Sequence, residues 1–325
     1  MRIVLLLLLL LCSQCQPRVR SERHRALLEW MEDNGKKKIL CTTEAVADLV
    51  KAIGGEHIDV ITLVWGQHDP HSYILVKGDD EKFDYADRIF YSGLHLEHGQ
   101  SLFKKLHAHK KARSLGDYIA KKQGDKILRI DGSLDPHVWM DVFLWSQSIP
   151  FIVQELEILL PDHKEDIKKK GKKLQDDLER LDRAIKKKFQ EVDERKRFLV
   201  STHDAFNYFA RAYLREEGEE EWLLRCQAPE GLSPEGRLST ADIDRLVQHI
   251  VDRQVRVVFA EKNINKDSLE KLVACCAKLN HRVRIASHEL YADTLGEKSS
   301  GASTYRDMMW YNTETMTDEW KKDAE

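Results

Sequence analysis

The chain has 325 residues, 42% of them apolar, which is more than one hydrophobic core needs, so a globular protein of two domains is expected. Lys and Arg total 52 against 55 Asp and Glu, a net charge of −3 that argues against a nucleic-acid binder working through a basic face.

The chain opens with Met1-Arg2 and an apolar run from Ile3 to Leu11, too short to span a bilayer and of the kind that directs secretion. Residues 1–15 are therefore expected to be a signal peptide, absent from the mature, exported protein. Cys12 and Cys15 close this segment, where a lipid-anchored cysteine would stand, although Leu11 and Gln14 precede them instead of a small residue. No later stretch is apolar enough to cross a membrane, so a transport role would need separate membrane subunits.

From Lys37 to Pro161 short β-rich runs alternate with amphipathic helices. Lys38-Ile39-Leu40-Cys41, Ile58 to Val64, Arg88 to Tyr91 and Ile127 to Ile130 read as strands, and Glu44 to Ile53 as a helix. Strands separated by helices imply a parallel sheet. Asp162 to Val192 lacks proline, and Ile167, Leu174, Leu178, Leu181, Ile185 and Phe189 recur at helical spacing, so one long helix spanning roughly 45 Å is predicted. The lysines at 168–170 and 186–188 are assigned to its solvated face. A second series follows: strands Phe198 to Ser201, Val255 to Ala260 and Arg282 to Ala286, and helices Ala205 to Tyr213, Ala241 to Arg253, Asp267 to Leu279 and one from about Thr304. The predicted fold is α/β, with two lobes at 37–161 and 197–325, each a parallel sheet flanked by helices, joined by one long rigid helix at 162–192.

Asp-Pro-His occurs twice, at Asp69-Pro70-His71 and Asp135-Pro136-His137. With 7 prolines and 14 histidines in the chain, chance gives about 0.3 Pro-His pairs of any context. Proline fixes the backbone entering each histidine and lowers the entropy cost of holding its ring. His203 directly follows a predicted strand, and in doubly wound sheets ligands bind beyond the carboxyl ends of the strands. Three neutral imidazoles leave a divalent ion uncompensated, and Asp293, after the last predicted strand, supplies the carboxylate. The predicted metal ligands are thus His71, His137, His203 and Asp293, with Asp69, Asp135, Asp141, Asp204 and Glu261 as candidates to orient the rings. His68 sits near this set without its motif position, and His95 and His98 read as a helical pair. His57, His163, His249 and His281 are assigned to surface or core.

The segments Gly66-x-x-Asp69-Pro70-His71-x-Tyr73, Asp135-Pro136-His137-x-Trp139-x-Asp141, Thr202-His203-Asp204-Ala205-Phe206-x-Tyr208-Phe209 and Asp293-x-Leu295-Gly296 together resemble the metal-binding components of ABC importers, the cluster A-I or TroA-like family. Cys226-x-x-Pro229-Glu230-Gly231-Leu232-Ser233-Pro234-Glu235 further resembles its chlamydial YtgA branch. The resemblance covers residues 37–325 and implies one zinc, manganese or iron ion as cargo in the cleft between the lobes. It also implies delivery by a monomer to an inner-membrane ABC permease with its ATPase, with neither catalysis nor nucleic acid involved. Family members with Glu at the third ligand position favour manganese, and several zinc members carry a His-rich loop. This chain has His203 and no such loop.

Two other readings are weighed. A periplasmic zinc hydrolase would use Asp293 or Glu261 as general base, and an adhesin would hold a structural metal. No Gly-rich phosphate loop, H-E-x-x-H helix or G-x-S-x-G elbow is present. Export permits disulfides among Cys41, Cys226, Cys275 and Cys276. Bonding of Cys226 to Cys275 or Cys276 is expected, with Cys41 a buried thiol.

Overall fold

Ile39, Leu40 and Cys41 are wholly buried because strand β1 (Lys37–Cys41) runs through the middle of a sheet covered on both faces. The computed structural model describes residues 18–66, 68–234 and 240–322. The predicted signal peptide, with Cys12 and Cys15, lies outside them. β1 pairs in parallel with β2 (Ile58–Thr62) on one side and β3 (Arg88–Tyr91) on the other, and β4 (Ala112–Ser114) completes the order β2-β1-β3-β4. The Glu44–Gly54 helix starts where Thr43 caps it, accepting from Val46 N, and buries Val46, Leu49, Val50 and Ile53 against the sheet. A helix that the sequence reading did not include, Arg18–Met31, covers the other face with Leu27 and Trp30. The Trp30 indole donates to Asp59 O at 3.0 Å. The predicted strand at 127–130 is a two-residue antiparallel hairpin, β5 (Arg129–Ile130) with β6 (Ser133–Leu134).

The second lobe repeats the parallel plan in shorter pieces. β7 (Leu199–Val200) pairs with β8 (Cys226–Gln227), and β9 (Val257–Val258) with β10 (Arg284–Ile285). A bond from Phe259 N to Val200 O at 2.8 Å joins the two pairs. β7 stops earlier than predicted because the Thr202 and His203 N–H groups turn away to a side-chain carboxylate, that of Glu261. The helix predicted from Ala205 to Tyr213 is α-helical only over Asn207–Phe209 and widens to a π turn over Ala210–Leu214.

The long helix is present over Lys164–Phe189, and its Ile167, Leu178, Leu181, Ile185 and Phe189 are buried. It packs on the Glu44–Gly54, Val142–Ser146 and Ile149–Leu159 helices of the first lobe and on the Tyr305–Lys322 helix of the second, so it is a spine for both. Its charged face carries pairs such as Lys172 with Asp176 and Lys186 with Asp182. Gly171 lies where a Cβ would stand 2.4 Å from Val153 Cγ2. Gly171→Leu is expected to destabilise the protein by about 1–3 kcal/mol, overpacking outweighing the helix-propensity gain of about 1 kcal/mol. Urea unfolding measures it.

The expected disulfide is absent: Cys41, Cys226, Cys275 and Cys276 are all free thiols. Cys226 packs in the large core shared by the lobes, whereas Cys276 faces the separate core under the second sheet, with half-buried Cys275 against its edge. The two cores keep the sulfurs on different sides of the sheet material.

Candidate metal centre

The repeated Asp-Pro-His has one local cause in both places. Asp69 Oδ1 accepts from His71 N at 2.8 Å, and Asp135 Oδ1 accepts from His137 N at 2.9 Å, so each aspartate folds the chain back onto the histidine two residues on. Asp135 goes further, its Oδ1 also meeting His137 Nδ1 at 2.8 Å. That leaves Nε2 of His137 facing inward.

His203 is set by the second lobe. Glu261, just beyond β9, accepts from Thr202 N at 2.9 Å and His203 N at 2.8 Å through Oε1, and places Oε2 2.6 Å from His203 Nδ1. Asp293 follows Tyr291, which exchanges two hydrogen bonds with the Asn312 amide. The preceding Ala292 O accepts from the indole of Trp139, two residues past His137.

The structure brings His71, His137, His203 and Asp293 together, with one donor atom of each within 4.8 Å of all the others. His71 Nε2 lies 3.3 Å from His137 Nε2 and 3.5 Å from Asp293 Oδ2. His203 Nε2 is 3.4 Å from Asp293 Oδ2, and His137 Nε2 is 3.7 Å from Asp293 Oδ1. Four ligands at zinc-like bond lengths around one ion would stand about 3.3–3.4 Å apart in a tetrahedron. Buried His203 Nε2 and Asp293 Oδ1 have no hydrogen-bond partner. The donor set therefore has the size and the unmet valence of a first-row metal site.

Charge points the same way. Asp135 and Glu261 are buried and Asp293 nearly so, yet their ion pairs are with the histidines alone. Burial would raise the Asp293 carboxyl, but His203 and His71 outweigh it and hold it well below the usual range. Burial opposes charge on His203, but Glu261 and Asp293 outweigh it and lift its pKa well above the ordinary value. Burial wins at His137, which is lowered despite Asp135.

Of the five candidate orienting carboxylates, Asp135 and Glu261 touch ligand rings. Asp69 acts through the backbone, Asp141 caps the Val142–Ser146 helix through Leu144 N, and Asp204 lines the neighbouring cleft with Asp131. His68 is exposed and bonds Trp65 O. His95 and His98 lie in a turn rather than a helix, because Leu94 and His95 adopt φ of 52° and 67°. Sequence reasoning missed Asn207 and Tyr208, which reach across to Asp135 Oδ2 and Asp135 O at 3.2 Å each. The only signal was their membership of the His203 segment.

Two α/β lobes closing over an interior set of three histidines and a carboxylate define the architecture of a metal-binding solute receptor. Residues 39–319 match the family described as ZnuA, zinc-uptake complex component A, periplasmic, and the chain belongs to that family. It is 36% identical to the metal-binding protein YtgA of Chlamydia trachomatis over 284 residues, 86% of this chain and 85% of that one. The crystal structure of Fe(III)-bound YtgA superimposes with a TM-score of 0.83 at 35% identity, covering 88% of this chain and 98% of YtgA. The periplasmic zinc-binding protein TroA of Treponema pallidum superimposes with a TM-score of 0.79 at 31% identity, over 88% and 99% of the two chains. The manganese-binding lipoprotein MntA of Bacillus subtilis is 31% identical over 86% of this chain and 88% of its own length.

Proposed function

We propose that this protein is an exported, periplasmic solute-binding protein that takes one transition metal ion into His71, His137, His203 and Asp293. As a monomer it hands the ion to an inner-membrane ABC permease and its ATPase. The lobes are assigned to residues 37–161 and 197–325, spanned by 162–192. Among the described residues no helix is long and apolar enough to cross a membrane, so passage through the bilayer falls to the permease.

The observation that carries this reading is the enclosed donor set, four atoms within 4.8 Å, with three carboxylates whose ion pairs are all with imidazoles. A cation supplies the missing positive charge. Hydrolysis is the weaker reading because Glu261 is committed to His203 and to two backbone N–H groups, and Asp293 stands among the ligands, so neither is free as a base. The relatives named above are described with iron, zinc and manganese. Three imidazoles and a carboxylate bind zinc more tightly than manganese at any given geometry, so affinity is expected to run zinc above manganese whichever is the physiological cargo. Elemental analysis and chelator competition on the mature protein test the proposal. One tight, exchangeable ion per chain is expected, and a metal-free protein that takes up no zinc, manganese or iron would refute it.

Capture should also release a proton. With its pKa raised by Glu261 and Asp293, metal-free His203 holds its proton to higher pH than a free imidazole does, and a ligating imidazole must shed the one on Nε2. Calorimetry in buffers of differing ionisation enthalpy should show net proton release on zinc binding, diminishing as pH rises through the raised value. In the metal-free protein the sign is that of a raised histidine: the His203 contribution to stability is full below the ordinary value and fades as pH rises through the raised one.

A further inference from the structure

The two loops that deliver His71 and Asp293 come from different lobes, and two side chains outside the donor set tie the lobes together beside them. Glu44, in the first turn of the Glu44–Gly54 helix, accepts from Leu295 N at 3.0 Å, two residues past Asp293. Asn263, of the second lobe, donates from Nδ2 to Gly66 O at 3.1 Å and to Thr294 Oγ1 at 3.0 Å, beside Asp293. Asn263 thus links Gly66, on the segment that leads to His71, to position 294, while Glu44 holds position 295 to the first lobe. The Gly66 φ of 66° and that of Asn263, 70°, are left-handed conformations that suit glycine and asparagine. A cleft of about 250 Å³ lined by Asp69, Pro70, Asn263, Asp293 and Thr294 opens beside this junction.

We propose that Glu44, assisted by Asn263, is a positioning residue that clasps the Asp293 loop to the first lobe and so sets how fast the ion leaves. The proposal rests on the metal-capture reading above. The ion cannot escape while Asp293 stays 3.4–3.5 Å from His71 and His203. Moving Asp293 away draws Thr294 and Leu295 with it, which breaks the bonds to Glu44 and Asn263 in the same motion. Glu44 is half-buried, so its bond is shielded from water, whereas Asn263 is exposed and its bonds are weaker. Burial pushes the Glu44 carboxyl up, and the Leu295 N–H it accepts from opposes that.

The test is Zn²⁺ release from the mature protein into excess chelator, followed by stopped flow, for the wild type, Glu44→Gln, Asn263→Ala and a control, Asp48→Asn. Asp48 Oδ2 accepts from Tyr305 N at 3.0 Å, a contact between the same lobes that engages none of Gly66, Thr294 and Leu295. Glu44→Gln should release zinc roughly tenfold faster, the loss of one hydrogen bond to a charged group, and Asn263→Ala a few-fold faster. Asp48→Asn should leave release unchanged, and the metal-free proteins carrying Glu44→Gln and Asp48→Asn should melt alike. Release unchanged in Glu44→Gln, or equally accelerated in Asp48→Asn, overturns the clasp while the capture reading stands. A wild type that holds no zinc overturns the capture reading, and the clasp with it.

Discussion

Alanine in place of His71, His137, His203 or Asp293 is expected to abolish tight metal binding, whereas Glu261→Gln should weaken it by about 10- to 100-fold. The grading follows from what each change removes. A ligand alanine takes away one of four donors and opens the coordination sphere to water. Glutamine at 261 leaves His203 Nε2 in place but replaces the carboxylate 2.6 Å from Nδ1 with a neutral amide. The amide's single oxygen can accept from the ring or from the Thr202 and His203 N–H groups but not from both, so part of the loop's anchoring is lost together with the basicity lent to the imidazole. Asp135→Asn should behave similarly through His137, whose Nδ1 lies 2.8 Å from Asp135 Oδ1. Competitive zinc titration of the purified variants measures both classes. Equal losses in Glu261→Gln and His203→Ala would show that Glu261 builds the ligand's position rather than tuning it.

The sequence revealed most where a local pattern carries its own cause. The apolar period of Ile167, Leu178, Leu181 and Ile185 announces the long helix, and those residues are buried. Asp-Pro-His announces a turn, and both copies make the same aspartate-to-backbone bond. What stayed hidden depends on partners far apart in the chain. Glu44 and Leu295 are 251 positions apart, and nothing near Glu44 marks it off from any acidic residue in a helix's first turn. Asn207 reaches Asp135 from 72 positions away. The disulfide expectation failed for a related reason: cysteine count and export permit a bond, but only the three-dimensional packing shows that Cys226 and Cys276 belong to different cores. The Arg18–Met31 helix escaped notice because it offers few apolar positions, of which Leu27 and Trp30 do the packing.

The bonds between lobes give the site an asymmetry that bears on release. Asp293 belongs in sequence to the second lobe, yet Ala292 O is bonded by Trp139 and Leu295 N by Glu44, both of the first. Tyr305 adds a further link, its hydroxyl donating to Trp139 O at 2.6 Å. His203, by contrast, is fixed by Glu261 within its own lobe. A separation of the lobes that spares these links would therefore carry His203 away from His71, His137 and Asp293 together.

Phe189→Ala is expected to cost about 3–5 kcal/mol of stability while leaving metal affinity unchanged. Phe189 ends the long helix fully buried, its ring edge-on to Phe209 at 5.5 Å and 6.0 Å from Trp320, which itself meets Phe259 at 5.8 Å. It joins the spine to the second lobe through the final helix and the sheet at once, so truncation opens a cavity that rigid neighbours on three sides cannot fill. None of these rings stacks on His71, His137 or His203, and the loops carrying those histidines have their own supports in Asp69, Asp135 and Glu261. Metal binds the folded state alone, so zinc at 100 times its dissociation constant should restore about 2.7 kcal/mol to wild type and variant alike. Urea unfolding with and without zinc checks both statements. An equal zinc-induced gain would separate the spine's role from the site's, and a smaller gain in Phe189→Ala would mean that the second lobe's seating on the helix helps place His203.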